Sequence, residues 1–306
     1  MIRHLTMRLT ALLPVLLMVA ILAFVLVRCA PGGPFDRDRA QASPELERAL
    51  RARYHLDEPV WRQLGRFLHG LGHGDLGPSL RYRSHSVQEI IAQGVPVSAL
   101  LGVLAFVASV GFGLPLGLVG AVKRGGILDW ASSLVAFLAL GIPAFVAGPL
   151  LILVLAVRLE WFPVALWAGP SHWALPVVTL ALFYGGRVAR LVREGMTDAL
   201  QSGCIRTARA KGVGEIRVVL RHALPMGILP LITYSGPLLA DLLTGSFVVE
   251  NLFQLPGLGT LTVNSALNRD YPLIVGLVLV YAALLLLLNL LADLAHAWID
   301  PRVRHE

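Results

Sequence analysis

The chain has 306 residues, of which 56% are apolar and only 15% charged, with a mean hydropathy of +0.70. Soluble domains carry about a quarter charged residues, so much of this chain faces something other than water. The net charge of +7 raises the question of nucleic acid, but Lys and Arg stand at helix ends and between apolar runs, and only 8% of residues are aromatic; membrane orientation accounts for the basicity, and no nucleic-acid partner is expected.

Crossing a ~30 Å hydrocarbon core takes roughly 20 apolar residues. Such runs occur at 9–28, 97–122, 127–157, 173–191, 227–249 and 273–298, which predicts an all-α integral membrane protein with about six transmembrane helices. The first run follows Arg3 and Arg8 in the manner of a secretory signal. No small-x-small cleavage site follows it, and Arg28 precedes Cys29 where a lipoprotein would carry a small residue, so a retained first helix is expected. The chain thus divides into 1–30, an N-terminal segment with the first helix, a hydrophilic segment 31–96, and a five-helix core 97–306.

The hydrophilic segment carries helix signals. Ser43, Pro44 and Glu45 read as an N-cap, a first-turn proline and an acid suited to the helix dipole. Val60, Leu64, Phe67, Leu68 and Leu71 recur at helical spacing, and Ser86 with Glu89 forms a capping box ahead of Ile90 and Ile91. Three short helices are predicted, broken by a glycine-rich turn at 70–77.

In the second run Ala105, Ser109, Gly113, Gly117 and Ala121 fall every four residues, a small-residue stripe that lets membrane helices approach closely, within this subunit or against a partner. The third run carries Pro143 and Pro149 and is expected to be kinked or tilted. The fifth contains Asp241, which shares a helical face with Tyr234, Leu238 and Gly245. An acid in mid-span costs roughly 2.5–3.5 kcal/mol on an insertion scale, so this face points to a wet path or to a partner subunit.

Orientation follows from the basic residues of the short loops. One side holds Arg3, Arg8, Lys123, Arg124, Arg190, Arg193, Arg206, Arg209, Lys211, Arg217, Arg221, Arg302 and Arg304; the other holds Arg158 and Arg269. Both termini are therefore expected in the cytoplasm and segment 31–96 outside. Cys29 and Cys204 then lie on opposite sides and cannot pair.

The stretch 201–225 is too polar to span. Ile205, Ala208 and Val213, then Ile216, Val219 and Leu220, give helical character on either side of Gly212, which reads as a left-handed residue closing one helix before the next. Its basic residues also suit anionic lipid.

Residues 206–212 (RTARAKG) with 221–225 (RHALP) resemble the cytoplasmic signature of ABC importer permeases, in which a glycine precedes the proline of a Leu-Pro pair by thirteen positions, as Gly212 precedes Pro225. The wording is similar to the peptide and nickel branch, and so are APGGPF (30–35), YHLDEP (54–59), HGDLGPS (73–79), GSFVVENLFQLPGLG (245–259), LNRDYPL (267–273) and IDPRVR (299–304). Length and loops most resemble the first permease subunit of oligopeptide importers. Gly203 and Cys204 depart from the acidic or amide residue and aromatic usual before this signature.

The resemblance implies a type I importer permease in a bacterial cytoplasmic membrane, with a cytoplasmic coupling region at 192–226 and an extracytoplasmic helical loop after the first helix. It implies a second homologous permease subunit, two cytoplasmic ATPase subunits that use ATP and Mg, and an extracytoplasmic peptide-binding protein. Arg206, Thr207, Ala208, Arg209, Ala210, Lys211, Gly212, Arg221 and His222 would form the ATPase-coupling interface. The cargo would be oligopeptides or dipeptides, with nickel, glutathione or another small solute as the alternative. Tyr234 and Asp241 are candidates for the translocation path.

No Gly-x4-Gly-Lys-Ser/Thr phosphate loop occurs, so ATP hydrolysis falls to a partner, and no catalytic residue, metal ligand or bound cofactor is expected in this chain. A secondary transporter would show paired interrupted repeats, a channel a filter or charge ring, and an intramembrane hydrolase HExxH, GxSxG or paired acids. None of these patterns is present.

Overall fold

A computed structural model describes residues 2–29, 52, 57–82, 84–244 and 247–299 of the chain. Among the described residues the α-helices of six or more residues are α1 (Ile2–Cys29), α2 (Val60–Gly72), α3 (Val87–Val122), α4 (Ile127–Gly141), α5 (Ala144–Leu151), α6 (Pro170–Gln201), α7 (Gly203–Ala210), α8 (Leu229–Thr244), α9 (Phe247–Leu252), α10 (Leu258–Leu267) and α11 (Tyr271–Ile299). Among the described residues five helical stretches are long and apolar enough to cross a membrane, lying in α1, α3, α6, α8 with α9, and α11. A sixth is counted if the bent pair formed by α4 and α5 is one span.

The described residues fall into two compact units, one within Met1–Ser98 and Pro256–Leu286, the other within Ala99–Leu255 and Leu287–Glu306. The first unit is built on two buried clusters. Val87, Ile90 and Ile91 pack with Leu258, Leu273 and Leu277, while Ala20 and Ala23 meet Val275 and Leu279, with Phe67 and Leu71 of α2 against them. Pro59 occupies the N-cap position of α2, and the predicted apolar face is realised at Leu64, Phe67, Leu68 and Leu71, all partly buried, while Val60 is exposed. The Ser43–Glu45 signal lies outside the described residues.

The capping box is formed: the Ser86 N–H donates to Glu89 Oε2 (3.0 Å) and the Glu89 N–H to Ser86 Oγ (3.4 Å). It does not open a separate short helix. α3 instead runs unbroken for 36 residues, roughly 54 Å at 1.5 Å per residue, straight through Pro96. Proline removes one ladder bond, a loss that neighbouring elements can absorb in membrane helices, and here α10 lies against this stretch. A Cβ on Gly94 would stand 2.8 Å from Leu261 Cδ1, and Ser98 Oγ accepts the Leu258 N–H at 2.8 Å.

Two of the motifs that carried the resemblance meet in this unit. Asp270, 1% exposed, is the N-cap of α11: its carboxylate accepts the Leu273 N–H at 3.4 Å, the N–H groups of Leu80 (3.1 Å) and Arg81 (3.3 Å) and the Ser79 hydroxyl. One side chain thus caps a long helix and fastens a loop 190 positions earlier.

In the second unit the small-residue stripe of α3 faces α6. Ala105, Ser109 and Ala121 are buried. A Cβ on Gly113 would lie 2.4 Å from the Gly185 carbonyl oxygen, and one on Gly117 2.3 Å from that of Ala189, so neither position admits any side chain without separating the helices. The expected kink of the third run is a turn of 98° between α4 and the helix that starts at Ala144. Ile142 is extended (φ −96°, ψ 109°) and Pro143 is the N-cap of α5, as the steric demand of a proline on the preceding residue requires. Pro149 sits inside α5 without breaking it, and Ile152–Arg158 continue as a wide π-helical stretch. At 15 residues, α4 spans roughly 22 Å, short of a ~30 Å core.

Candidate coupling segment and ion pairs of the helical core

The polar segment after α6 folds as its residues require. On α7, Ile205 and Ala208, three positions apart, are buried. The opposite surface exposes Arg206, Thr207, Arg209, Ala210 and Lys211. Ala208, expected in an interface with a partner, is therefore turned inward, because it shares the face of Ile205. The helix ends as predicted: Gly212 has φ +77°, its N–H donates to the Arg209 carbonyl (2.9 Å), and the Val213 N–H donates to that of Ala208 (3.2 Å). This is a Schellman ending, which satisfies the last carbonyls through a left-handed residue.

Beyond the glycine a helical turn, Glu215–Arg217, leads through a π-helical stretch, Val218–Ala223, into Leu224–Gly227. Val218, Val219 and Ala223 are buried, while Ile216 and Leu220 are 78% and 52% exposed. Arg217 and Arg221 stand beside them in solvent and His222 is partly buried. Arg209 bridges the two halves, donating from Nε and Nη2 to the two carboxylate oxygens of Glu215 at 2.8 and 3.1 Å. That bond holds the Glu215 carboxyl below its ordinary range. The segment is pinned to α6 where two glycines cross: a Cβ on Gly195 would meet the Gly227 carbonyl oxygen at 2.3 Å.

Helix α6 also carries two arginines that reach acids on neighbouring helices. Arg193 grips Asp129 of α4 with Nε at 2.8 Å and Nη2 at 3.1 Å. Asp129 takes further bonds from the Gly125 N–H (3.0 Å) and the Ser133 hydroxyl (3.3 Å). Arg187, 18 positions into the 32-residue α6, donates to the Tyr234 hydroxyl at 2.6 Å and stands 3.9 Å from Asp241. The two residues singled out on the fifth span are thus brought together by a third that sequence reasoning passed over. Its signal was available: a guanidinium inside a predicted span is as costly as the acid that drew notice. Gly245, the last residue expected on that face, lies outside the described residues. Among those residues no group of three or more His, Cys, Asp or Glu has the geometry of a metal site.

Long apolar helices, a sharply bent helix pair and a polar helix–glycine–helix segment together describe a multi-pass membrane protein. The fold is shared with a solved transporter: the structure superposes on a methionine ABC transporter in an inward-facing form with a TM-score of 0.60 at 18% identity, over 69% of this chain and 96% of that one. Residues 113–305 match the family described as binding-protein-dependent transport system inner membrane component. The chain is 40% identical over 309 residues to the oligopeptide transport system permease protein OppB of Haemophilus influenzae, covering 100% of both. It is also 40% identical over 304 residues to the dipeptide transport system permease protein DppB of Bacillus subtilis, covering 99% of this chain and 98% of that one. The chain belongs to the inner membrane components of binding-protein-dependent transport systems, the permease subunits of ABC importers. It is a transport subunit and not an enzyme, and its setting is a membrane complex with a binding protein and an ATPase.

Proposed function

We propose that the chain is the permease subunit of an ATP-driven importer that carries short peptides across a bacterial cytoplasmic membrane. The observation that carries this reading is full-length 40% identity to both an oligopeptide and a dipeptide permease. In this reading the chain pairs with a second, homologous permease. Two ATPase subunits bind the cytoplasmic face and a peptide-binding protein delivers cargo outside. Both termini are cytoplasmic and segment 31–96 lies at the outer mouth.

The ATPase dock is the surface of Arg206, Thr207, Arg209, Ala210, Lys211 and Gly212, extended by Arg221 and His222. Its support is the exposed basic face of α7 and the neighbouring exposed Ile216 and Leu220, apolar surface that a docked ATPase would cover. Purification of the complex from its native membrane and reconstitution in liposomes tests the cargo. ATP-dependent accumulation of a tripeptide is expected, and accumulation of nickel or glutathione without peptide would overturn the reading.

The coupling role is tested at Gly212. Valine at φ +77° is strained by roughly 1–2 kcal/mol, so Gly212→Val should abolish most uptake while the ATPases still turn over. A cysteine at the exposed Ala210 should cross-link to the ATPase subunit. Undiminished transport in Gly212→Val together with no cross-link from Ala210 would discard the dock.

A further inference from the structure

Arg187 and Asp241 have partners that leave most of their capacity unused. The guanidinium lies 5.5 Å from the ring centre of Phe183, 6.0 Å from that of Tyr184 and 5.9 Å from that of Tyr234. These aromatic faces steady the cation without consuming its N–H groups. Among the described residues it donates one hydrogen bond, to Tyr234. The Asp241 carboxylate, 3.9 Å away, is beyond hydrogen-bond distance. The side chains are 40% and 51% exposed, although both stand in helices apolar enough to cross a membrane. Two half-exposed charges cannot face hydrocarbon at the cost each carries there. They face a wet cavity or a protein.

The manner of pairing favours the cavity. When α6 uses an arginine to fasten a neighbouring helix it does so at Arg193, with two short bonds and an acid that is only 11% exposed. The Arg187 pair is open where that one is closed. It presents a cation and an anion side by side, each with bonding positions turned outward.

Resting on the peptide reading above, we infer that Arg187 and Asp241 form a transient site for the charged ends of a passing peptide. Asp241 receives the N-terminal ammonium and Arg187 the C-terminal carboxylate. Tyr234 holds the guanidinium until a peptide arrives. The ends of a peptide lie farther apart than 3.9 Å, so both side chains swing outward on binding, which their exposure permits. The site is built for a zwitterion and is indifferent to side chains, which suits a carrier of mixed sequences. It makes Arg187 a specificity-determining residue.

The test uses the whole importer, purified without its binding protein and labelled with a photoreactive tripeptide that has free termini. Competition is measured with trialanine, N-acetyl-trialanine and trialanine amide. In the parent complex the free peptide should compete about tenfold better than either blocked form. Asp241→Asn should erase the advantage over the acetylated peptide and leave the advantage over the amide. Arg187→Gln should do the converse, and Arg187→Lys, which keeps the charge, should behave nearly as the parent. Equal competition by all three peptides in the parent complex, or a uniform loss in both variants, overturns the site. Loss of the second permease on purification of either variant also overturns it, since the pair would then be an intersubunit contact. A parent complex that takes no label, yet imports peptide once the binding protein is restored, overturns the site alone, whereas one that imports no peptide with the binding protein present removes the reading on which it rests.

Discussion

Two arginines of helix α6, six residues apart, pair with carboxylates of neighbouring helices, and the two pairs differ in every respect that decides what such a pair does. Arg193 and Asp129 meet through two bonds of 2.8 and 3.1 Å, with the acid 11% exposed and its remaining lone pairs taken by Gly125 and Ser133. Arg187 and Asp241 stay 3.9 Å apart and half exposed. A satisfied, poorly hydrated pair fixes two helices, because breaking it strands a charge. An open one contributes little to the fold and keeps its polarity available for something that arrives from outside. Residue type is the same in both. Burial and the number of accessory bonds separate a fastening from a binding group.

The largest effect is expected where the fastening depends on close approach. Gly117→Val places a branched side chain where even a Cβ would lie 2.3 Å from the Ala189 carbonyl oxygen and 2.8 Å from Val192 Cβ. Neither neighbour can retreat without moving α6 away from α3. A loss of about 3 kcal/mol, or failure to accumulate in the membrane, is expected, read from thermal unfolding of the purified complex and from its yield. A stable Gly117→Val protein would mean that α3 and α6 do not pack as described.

The next effect compares the pairs directly. Asp129→Asn leaves the Arg193 guanidinium with one neutral acceptor in a half-buried site and should cost about 1–3 kcal/mol. Asp241→Asn should change stability by less than about 0.5 kcal/mol, whatever it does to peptide. Thermal midpoints of the two variants, measured in parallel, decide the matter. If Asp241→Asn is the more damaging, the assignment of roles to the two arginines is reversed.

What could be read from the sequence divides along physical lines. Five of the six spans, the capping box at Ser86 and Glu89, and the left-handed Gly212 are local: each depends on residues close in sequence and each is found in the structure. The inward face of α2 was legible for the same reason. Tertiary outcomes were not. Pro96 is a helix breaker by propensity, and only the packing of Leu261 and the Leu258 N–H against the same turns explains why α3 continues through it. Pro143 announced a bend, but its 98° depends on how α4 and α5 are held by their neighbours. The meeting of Ser79 with Asp270, and of Arg187 with Tyr234, spans 191 and 47 positions, distances over which spacing carries no information. Arg187 alone could have been found earlier, by asking of every charge in a predicted span what Asp241 was asked.

The smallest effect is expected at a third pair, which isolates burial from geometry. Arg209 meets Glu215 at 2.8 and 3.1 Å, the same two distances as the Arg193 pair, but the side chains are 44% and 64% exposed. Water competes for every one of those bonds, and salt screens the charges. Glu215→Gln should therefore leave the thermal midpoint of the complex unchanged within error, although its bonding resembles that of Asp129. The acidity of the group gives the sign of the pH dependence. The hydrogen bond from Arg209 lowers the Glu215 carboxyl, so whatever the pair contributes is fully present above the ordinary glutamate range, near about 4.3, and fades only as pH falls through the lower folded value. Between pH 6 and 8 parent and variant should have superimposable midpoints, with or without added salt. A clear destabilisation of Glu215→Gln at neutral pH would show that this bridge is shielded in the assembled importer. The natural cover is the ATPase proposed to dock on the surface that Arg209 shares, and repeating the measurement on the permease pair without its ATPases would then bring the two proteins back together.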